Sequence, residues 1–431
     1  MVSLSNRPKL DIIETFFDVK RTTRMTDKLT AIDLFAGAGG FSLAALQCGF
    51  NVLAAVEFDA AAANTYEQSI KKTFGSTNTK VYNTDINKIT DLQQFMKEVG
   101  VKPGELDLLL GGPPCQGFST HRINNAGVDD PRNKLLLKYY EFVHALQPKI
   151  FLIENVAGLL WKRHESYLET LKKNAEENGY TIRFCDLLNA RDYGVPQNRK
   201  RVFIFGIRSD LDHSNVVFPP KPTHFPPKSE LYPSWKTASC VFEKPSDFIL
   251  DRYWSEYFSK KSKLSREETI RLLENLEFGY ELDLNDPLNF NMGHTTAMIN
   301  VFRSTPLNGS RADSNRVLPC HKEHDGHKDV YGRIMIHLPS NTITTGCINP
   351  SKGRFVHPWE DHGITMRHAA RLQTFPDDFV FYGNATQQAK QIGNAVPVAL
   401  GKQLINNIRY LLTLNVNNSC KLIFRSIEAY D

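Results

Sequence analysis

The sequence predicts an α/β protein, a doubly wound sheet carrying an inserted smaller and irregular unit. From about Leu29 to Ile207, short apolar runs alternate with helix-like segments, the rhythm of strands joined by crossover helices. That rhythm stops at FPPKPTHFPPKSELYPSW, where six prolines fall in a short stretch, too many for a helix or an inner strand. Near the end, QIGNAVPVALGKQLINNIRYLL reads as a Gly-Asn turn followed by an amphipathic helix, an extra layer on the sheet. The expected division is an arm over residues 1–28, a main unit from 29–207 plus 391–431, and a smaller unit over 208–390.

The strand candidates are TAIDLF, NVLAAVEF, KVYNTDI, LDLLL, KIFLIENV and RVFIFGI. Between them, NKLLLKYYEFVHAL has apolar residues at helical spacing, and ESYLETLKKNAEENG ends in the Asn-Gly of a helix stop. Helices on both sheet faces follow. In the irregular unit one helix stands out, SREETIRLLENLEF, whose Ser265 and Glu268 have capping-box spacing.

Composition bounds the function loosely. With 431 residues, 41% hydrophobic and 23% charged, the chain is an ordinary globular protein. A net charge of +5 permits a polyanionic partner without requiring one. The seven cysteines (48, 115, 185, 240, 320, 347, 420) lack CxxC spacing and read as reduced thiols. No signal core or run of eighteen apolar residues is present, so a cytoplasmic protein is expected.

DLFAGAGGFSLAAL, residues 33–46, passes from strand through a glycine turn into a helix, which aims free backbone N–H groups over the sheet edge. Gly37, Gly39 and Gly40 form GxGG, and the third glycine of a dinucleotide fingerprint falls at Ser42, so pyrophosphate is a poor fit. Glu57, ending the second strand, can accept hydrogen bonds from both ribose hydroxyls, and Asp85, ending the third, from an adenine amino group. A nucleoside without pyrophosphate suits this set, and S-adenosylmethionine fits better than NAD. GGPPCQGFST places Cys115 after a stiff turn at the end of a strand.

The ordered set PPCQGFS (113–119), ENV (154–156), QNRKR (197–201), RHAARLQTFPDDF (367–379) and IGNAVP (392–397) strongly resembles the DNA cytosine-5 methyltransferase family. The resemblance covers roughly 29–207 and 332–412 and is poor between about 208 and 330. It implies a Rossmann-like, S-adenosylmethionine-dependent methyltransferase sheet with an inserted target-recognition domain. It also implies a division of labour. Carbon 5 of cytosine is too weak a nucleophile to attack a methyl sulfonium, so Cys115 first adds to carbon 6 as a thiolate. Glu154, protonated or sharing a proton, holds ring N3, and Arg201 contacts O2 and stabilises charge on the ring. Arg199, grouped with them, contacts backbone or phosphate. The cofactor pocket would take Phe35 against the adenine, Gly37, Ala38, Gly39, Gly40, Glu57, Phe58, Asp85, Pro114, Asn394 and Ala395. Arg367 and Arg371 brace the recognition domain, with His368 standing where the family more often has an acid.

A cytosine inside a duplex must be flipped out before carbon 6 can be attacked. Contacts to double-stranded DNA are expected from Gln116 and Ser119 and from the loop TITTGCINPSKGRF, through Thr345, Lys352 and Arg354. Cys320, His321, His324 and His327 cluster in CHKEHDGHKD, but no second Cys/His pair completes a tetrahedral pattern, so no metal is expected. A tRNA cytosine-5 methyltransferase or a silent DNA-binding regulator would share much of the set. The long insert favours DNA, and the presence of Cys115, Glu154 and Arg201 favours catalysis. The expected setting is a prokaryotic or viral monomer that protects DNA from a separate cognate restriction endonuclease.

Overall fold

The computed structural model describes residues 28–114, 134–211, 216–227, 229, 231–314 and 329–427, with side chains to residue 414. Cys115, Gln116 and Ser119, and the Cys320–His327 cluster, lie outside the described residues. A seven-stranded sheet runs in the order β3-β2-β1-β4-β5-β7-β6. Its strands are β1 (Thr30–Leu34), β2 (Asn51–Glu57), β3 (Lys80–Asn83), β4 (Leu108–Gly111), β5 (Ile150–Asn155), β6 (Tyr180–Asn189) and β7 (Lys200–Arg208). The first five are mutually parallel, whereas β7 lies antiparallel between β5 and β6.

The alternation of side chains along each strand feeds two separate cores. Leu108, Leu110, Ile150 and Leu152 enter one core, shared with α1 (Gly40–Gln47) and α12 (Val398–Ile427). Leu109, Phe151 and Ile153 enter the other, shared with α3 (Leu92–Val99), α4 (Lys134–Leu146) and α5 (Glu165–Glu177). The sheet is thus covered on both faces. Helix α2 (Ala60–Thr65) runs into a wider π turn through Thr73 and sends Tyr66 and Ile70 into the first core.

Two expectations need correction. β6 was absent from the strand candidates because it is an edge strand whose middle, IRFCDL, is only partly buried, so its pattern carries no clean period. The Gly-Asn pair is not a turn before a helix: Gly393 and Asn394 end α11 (Ala385–Asn394), and Ala395 to Pro397 make the turn into α12.

The irregular unit holds α6 (Asp247–Tyr253), α7 (Ser259–Lys261), α8 (Arg266–Glu274), α9 (Thr296–Ser304) and α10 (Met366–Leu372). α8 begins with the capping box read from the sequence, Ser265 with Glu268. Much of the remaining backbone has no ladder partner, and arginines satisfy its carbonyls instead. Arg333, fully buried, donates to the carbonyls of Phe302, Thr305, His357 and Glu360 and pairs with Asp361. Arg354 donates to the carbonyls of Asn308, Gly309 and Arg333 and pairs with Asp329 at 2.9 Å. Arg354 is therefore a buried brace and not the DNA contact expected of it. Arg367 grips Asp286 at 2.5 and 3.0 Å and the carbonyls of Pro376 and Phe379, and Arg371 holds Asp377 in a fork. Both fill the bracing role expected of them. Phe375, Phe379 and Phe381 then join the core that contains Tyr66 and Ile70, so residues counted with the smaller unit pack on the sheet's own layer.

His368 takes over the reciprocal half of the α10 cap: its Nδ1 accepts the N–H of Thr365 at 3.3 Å, while Thr365 Oγ1 accepts the N–H of His368. Burial, with Arg371 nearby, pushes its imidazole down from 6.5 to about 3. Only the unfolded chain can therefore take up this proton in mild acid, so this contribution to stability is lost as pH falls below about 6.5. A His368→Gln variant keeps the cap. It should lose about 1.4 kcal/mol less stability than wild type between pH 7.5 and 5.5 in urea unfolding, and an unchanged difference would contradict the assignment. Arg354→Met should cost about 3 kcal/mol by stranding buried carbonyls, measurable in the same assay, whereas Lys352→Ala at an exposed position should leave stability within about 0.5 kcal/mol.

Candidate active site at the carboxyl edge of the sheet

Strands β1, β2, β4 and β5 end along one edge, and each end delivers a different group. After β1 the backbone turns through Phe35 (φ 59°), Gly37 (φ 56°) and Gly39 (φ 94°) before α1 starts at Gly40. This left-handed run suits glycine and strains a phenylalanine. Gly37 N–H donates to Glu57 Oε2 at 2.8 Å, and Asp59 N–H donates to Oε1 at 2.7 Å. Burial raises the Glu57 carboxyl above its ordinary value, and these two N–H groups oppose the rise. A carboxylate has about four acceptor positions, so after these two bonds Glu57 can still accept from a ligand.

A side chain at Gly37 would meet nothing within 4 Å, which leaves open space over the turn. Phe58, beside Glu57, is 74% exposed, and Asn83 Nδ2 donates to its carbonyl. Ala38 and Gly39 are buried under the turn. Gly40 is required by a close approach: a Cβ there would lie 2.6 Å from the carbonyl oxygen of Val396. The α11–α12 turn therefore seats on the glycine turn. Asn394 is exposed beside it. Asp85 follows β3 by two residues and caps a short 3-10 turn, its Oδ1 accepting from Asn87 N–H and Nδ2; Oδ2 has no such bond among the described residues.

At the other half of the edge, Glu154 pairs in register with Phe203, so Arg201, two residues earlier on β7, sits diagonally across on the same face. Arg201 Nε lies 3.0 Å from Glu154 Oε1. The pair is ionic rather than a well-directed hydrogen bond, since Oε1 is buried with no hydrogen-bond donor. Arg201 Nη1 donates to the Lys200 carbonyl. Asn155 Nδ2 donates to the Pro113 carbonyl at 3.2 Å, tying the Gly-Pro-Pro segment after β4 to the end of β5. Gly112 lies over Glu154, where a Cβ would be 3.7 Å from Oε2, and Pro114 is exposed.

Arg199 is not part of this pair. It is buried, with Nη1 on the Ile343 carbonyl and Nη2 on those of Gly393 and Ala395, so of its two expected roles it fills the backbone contact. Burial pushes its guanidinium well below the usual range, and the neighbouring Arg201 adds to this. Thr345 and Lys352 are exposed. The loop bearing Thr345 seats on α11, where a Cβ at Gly393 would lie 2.3 Å from Thr345 N.

The sequence reading missed Gln197 and Gln373, both fully buried, which bond to each other and to the segments that Arg199 joins. Each lies within one of the ordered motifs, QNRKR and RHAARLQTFPDDF, which is the sequence signal that marks it. It also missed Asp33, whose buried carboxyl accepts from Ser42 Oγ at 2.7 Å. Burial pushes it up to about 7. In the smaller unit, Glu243, His357 and His368 bring ligand-type atoms within 4.8 Å of one another. The Nδ1 atoms of both histidines accept backbone N–H groups, so each neutral ring carries its proton on Nε2, and a protonated nitrogen is a donor, not a metal ligand.

Comparison with known proteins agrees with this architecture. The type II methyltransferase M.AgeI of Thalassovita gelatinovora is 29% identical over 441 residues, covering 89% of this chain and 100% of that one. The type II methyltransferase M.FnuDI of Fusobacterium nucleatum is 31% identical, covering 89% and 94%. A crystal structure from E. coli, described as a DNA modification methyltransferase encoded within a prophage, is 26% identical, with a TM-score of 0.61 over 89% of this chain and 99% of that one. The family model of the C-5 cytosine-specific DNA methylases matches residues 29–410, and the chain belongs to that family.

Proposed function

We propose that this enzyme methylates carbon 5 of a flipped cytosine in duplex DNA, with S-adenosylmethionine as donor and Cys115 as the covalent nucleophile. The observation that carries this reading is the Glu154–Arg201 pair, set at the strand ends where Asn155 fastens the segment leading to Cys115. The open space over Gly37, the spare acceptor positions of Glu57 and the exposed ring of Phe58 fit an adenosine moiety. In that reading Glu57 accepts the ribose hydroxyls, Phe35 and Phe58 flank the adenine, Asp85 accepts its amino group, and Gly37–Gly40, Pro114, Asn394 and Ala395 complete the wall. When bound, S-adenosylmethionine supplies an electrophilic methyl carbon.

The chain's own groups prepare the cytosine. The Cys115 thiolate bonds to carbon 6, and the ring electrons it displaces make carbon 5 nucleophilic. Glu154, which takes a proton from solvent as its ion pair with Arg201 opens, donates that proton to N3, so the ring gains electrons without building a full charge. Arg201 shares the Glu154 carboxyl in the resting protein and turns its guanidinium to O2 when the base enters. As carbon 5 takes the methyl group, N3 returns its proton to Glu154; loss of the carbon 5 proton to solvent then expels the Cys115 thiolate from carbon 6 and restores the ring.

The smaller unit, residues 208–390, is the DNA-recognition part in this reading, with Thr345 and Lys352 exposed toward the duplex and Gln116 and Ser119 beside the extruded nucleotide. The similarity to type II methyltransferases supports a role beside a separate restriction endonuclease. No helix among the described residues is long and apolar enough to cross a membrane, which is consistent with work on cytoplasmic DNA.

Incubation of the purified chain with S-adenosylmethionine and unmethylated genomic DNA should give 5-methylcytosine at one short sequence, mapped at single-base resolution. Methyl transfer to tRNA with none to duplex DNA would overturn the substrate. Cys115→Ser should reduce transfer at least about 10³-fold, and full activity would overturn the mechanism. Lys352→Ala should weaken DNA binding across sequences and lower the salt slope by about 1, as read by a salt titration of the dissociation constant.

A further inference from the structure

Three buried side chains join segments that the chemistry uses separately. Gln197 Oε1 accepts the N–H of Ile343 at 2.9 Å, and Arg199 Nη1 donates to the carbonyl of the same residue at 3.0 Å. Both backbone groups of Ile343 are thus held from the strand entry that leads to Arg201. The stitching continues outward: Asn198 N–H donates to the Ser340 carbonyl, and Thr342 Oγ1 donates to the Asn198 carbonyl. On the other side, Arg199 Nη2 and Gln373 Nε2 converge on the Ala395 carbonyl at 3.1 Å each. Gln373 Nε2 also donates to the Ile392 carbonyl, and its Oε1 accepts from Gln197 Nε2. The next residue, Val396, lays its carbonyl on Gly40 of the glycine turn, while Thr344 and Thr345 seat on Gly393.

We propose that Gln197, Arg199 and Gln373 form a latch that couples the cofactor turn to the DNA-side loop around Thr345. This inference rests on the reading above for the identity of the two ligands. The latch touches neither ligand, so its members are positioning residues. Its parts admit little slack. Arg199, Gln197 and Gln373 are buried, and a carbonyl pulled away from them loses its partner where water cannot replace it. When a ligand wedges the glycine turn, Val396 and Ala395 are fixed, and through Arg199 and Gln373 so is Ile343. Thr345 is then presented to the duplex in one arrangement. Reciprocity requires the same coupling in the other direction.

The test is a binding cycle by titration calorimetry with S-adenosylhomocysteine and an unmethylated duplex that contains the mapped target sequence. Each ligand is titrated alone and in the presence of the other, in wild type, Gln373→Met and Arg199→Lys. In wild type each ligand should tighten the other at least about fivefold. In both variants that ratio should fall below about twofold, whatever happens to the two separate dissociation constants. A general loss of stability weakens both constants but does not remove their ratio. A wild-type ratio near one, or a wild-type ratio kept in a folded variant, overturns the latch. Absence of binding by either ligand to wild type overturns instead the reading on which it rests. If Gln373→Met does not fold, Arg199→Lys and the wild-type ratio decide the matter.

Discussion

One buried guanidinium determines how this molecule is joined. Arg199 has no carboxylate partner among the described residues and is held by three main-chain carbonyls from two distant stretches of chain. A charge taken out of water is costly unless its donors find acceptors. The buried Nε of Arg199 has no partner among the described residues, so the guanidinium depends all the more on the carbonyls of Ile343, Gly393 and Ala395 arriving together at its two terminal nitrogens. That mutual requirement brings the smaller unit and the final turn to the same point, directly behind Arg201.

The same logic runs through the irregular unit. Where a sheet would pair its backbone by ladders, Arg333 and Arg354 collect carbonyls from loops that have no strand to join, and Arg333 takes one more from the last turn of α9. Guanidinium suits this work because its five donors fan out in one plane. The price is specificity of position, since lysine could not reach the same set. The loops of this unit thus take their rigidity from buried side chains beneath them.

Most of the sheet was legible because its short apolar runs and its glycine turns are local signals. The meeting of Glu154, Arg201 and the Gly-Pro-Pro segment at one edge was legible too, since they sit in short motifs whose order along the chain resembles that of a known family. What stayed hidden depended on distant partners. β6 is a half-wet edge with no clean alternation. Arg354 looks like any arginine in a polar loop until three carbonyls surround it. Gln197 and Gln373, 176 positions apart, have no local feature that marks them as a pair. The Gly-Asn pair belongs to a different element than its sequence suggests, because a glycine that admits a neighbouring loop reads like one that makes a turn.

The reversed direction of β7 governs how the Glu154–Arg201 pair is encoded. Parallel strands bring their last residues to the edge, whereas β7 brings its first, so Arg201 and Glu154 meet without any loop between them to adjust the fit. Their alignment is a matter of strand phase alone. A shift of β7 by a single residue against β5 would send Arg201 to the opposite face of the sheet, leaving the carboxylate without its counter-ion. The contact therefore has no graded version: it is either in phase or lost.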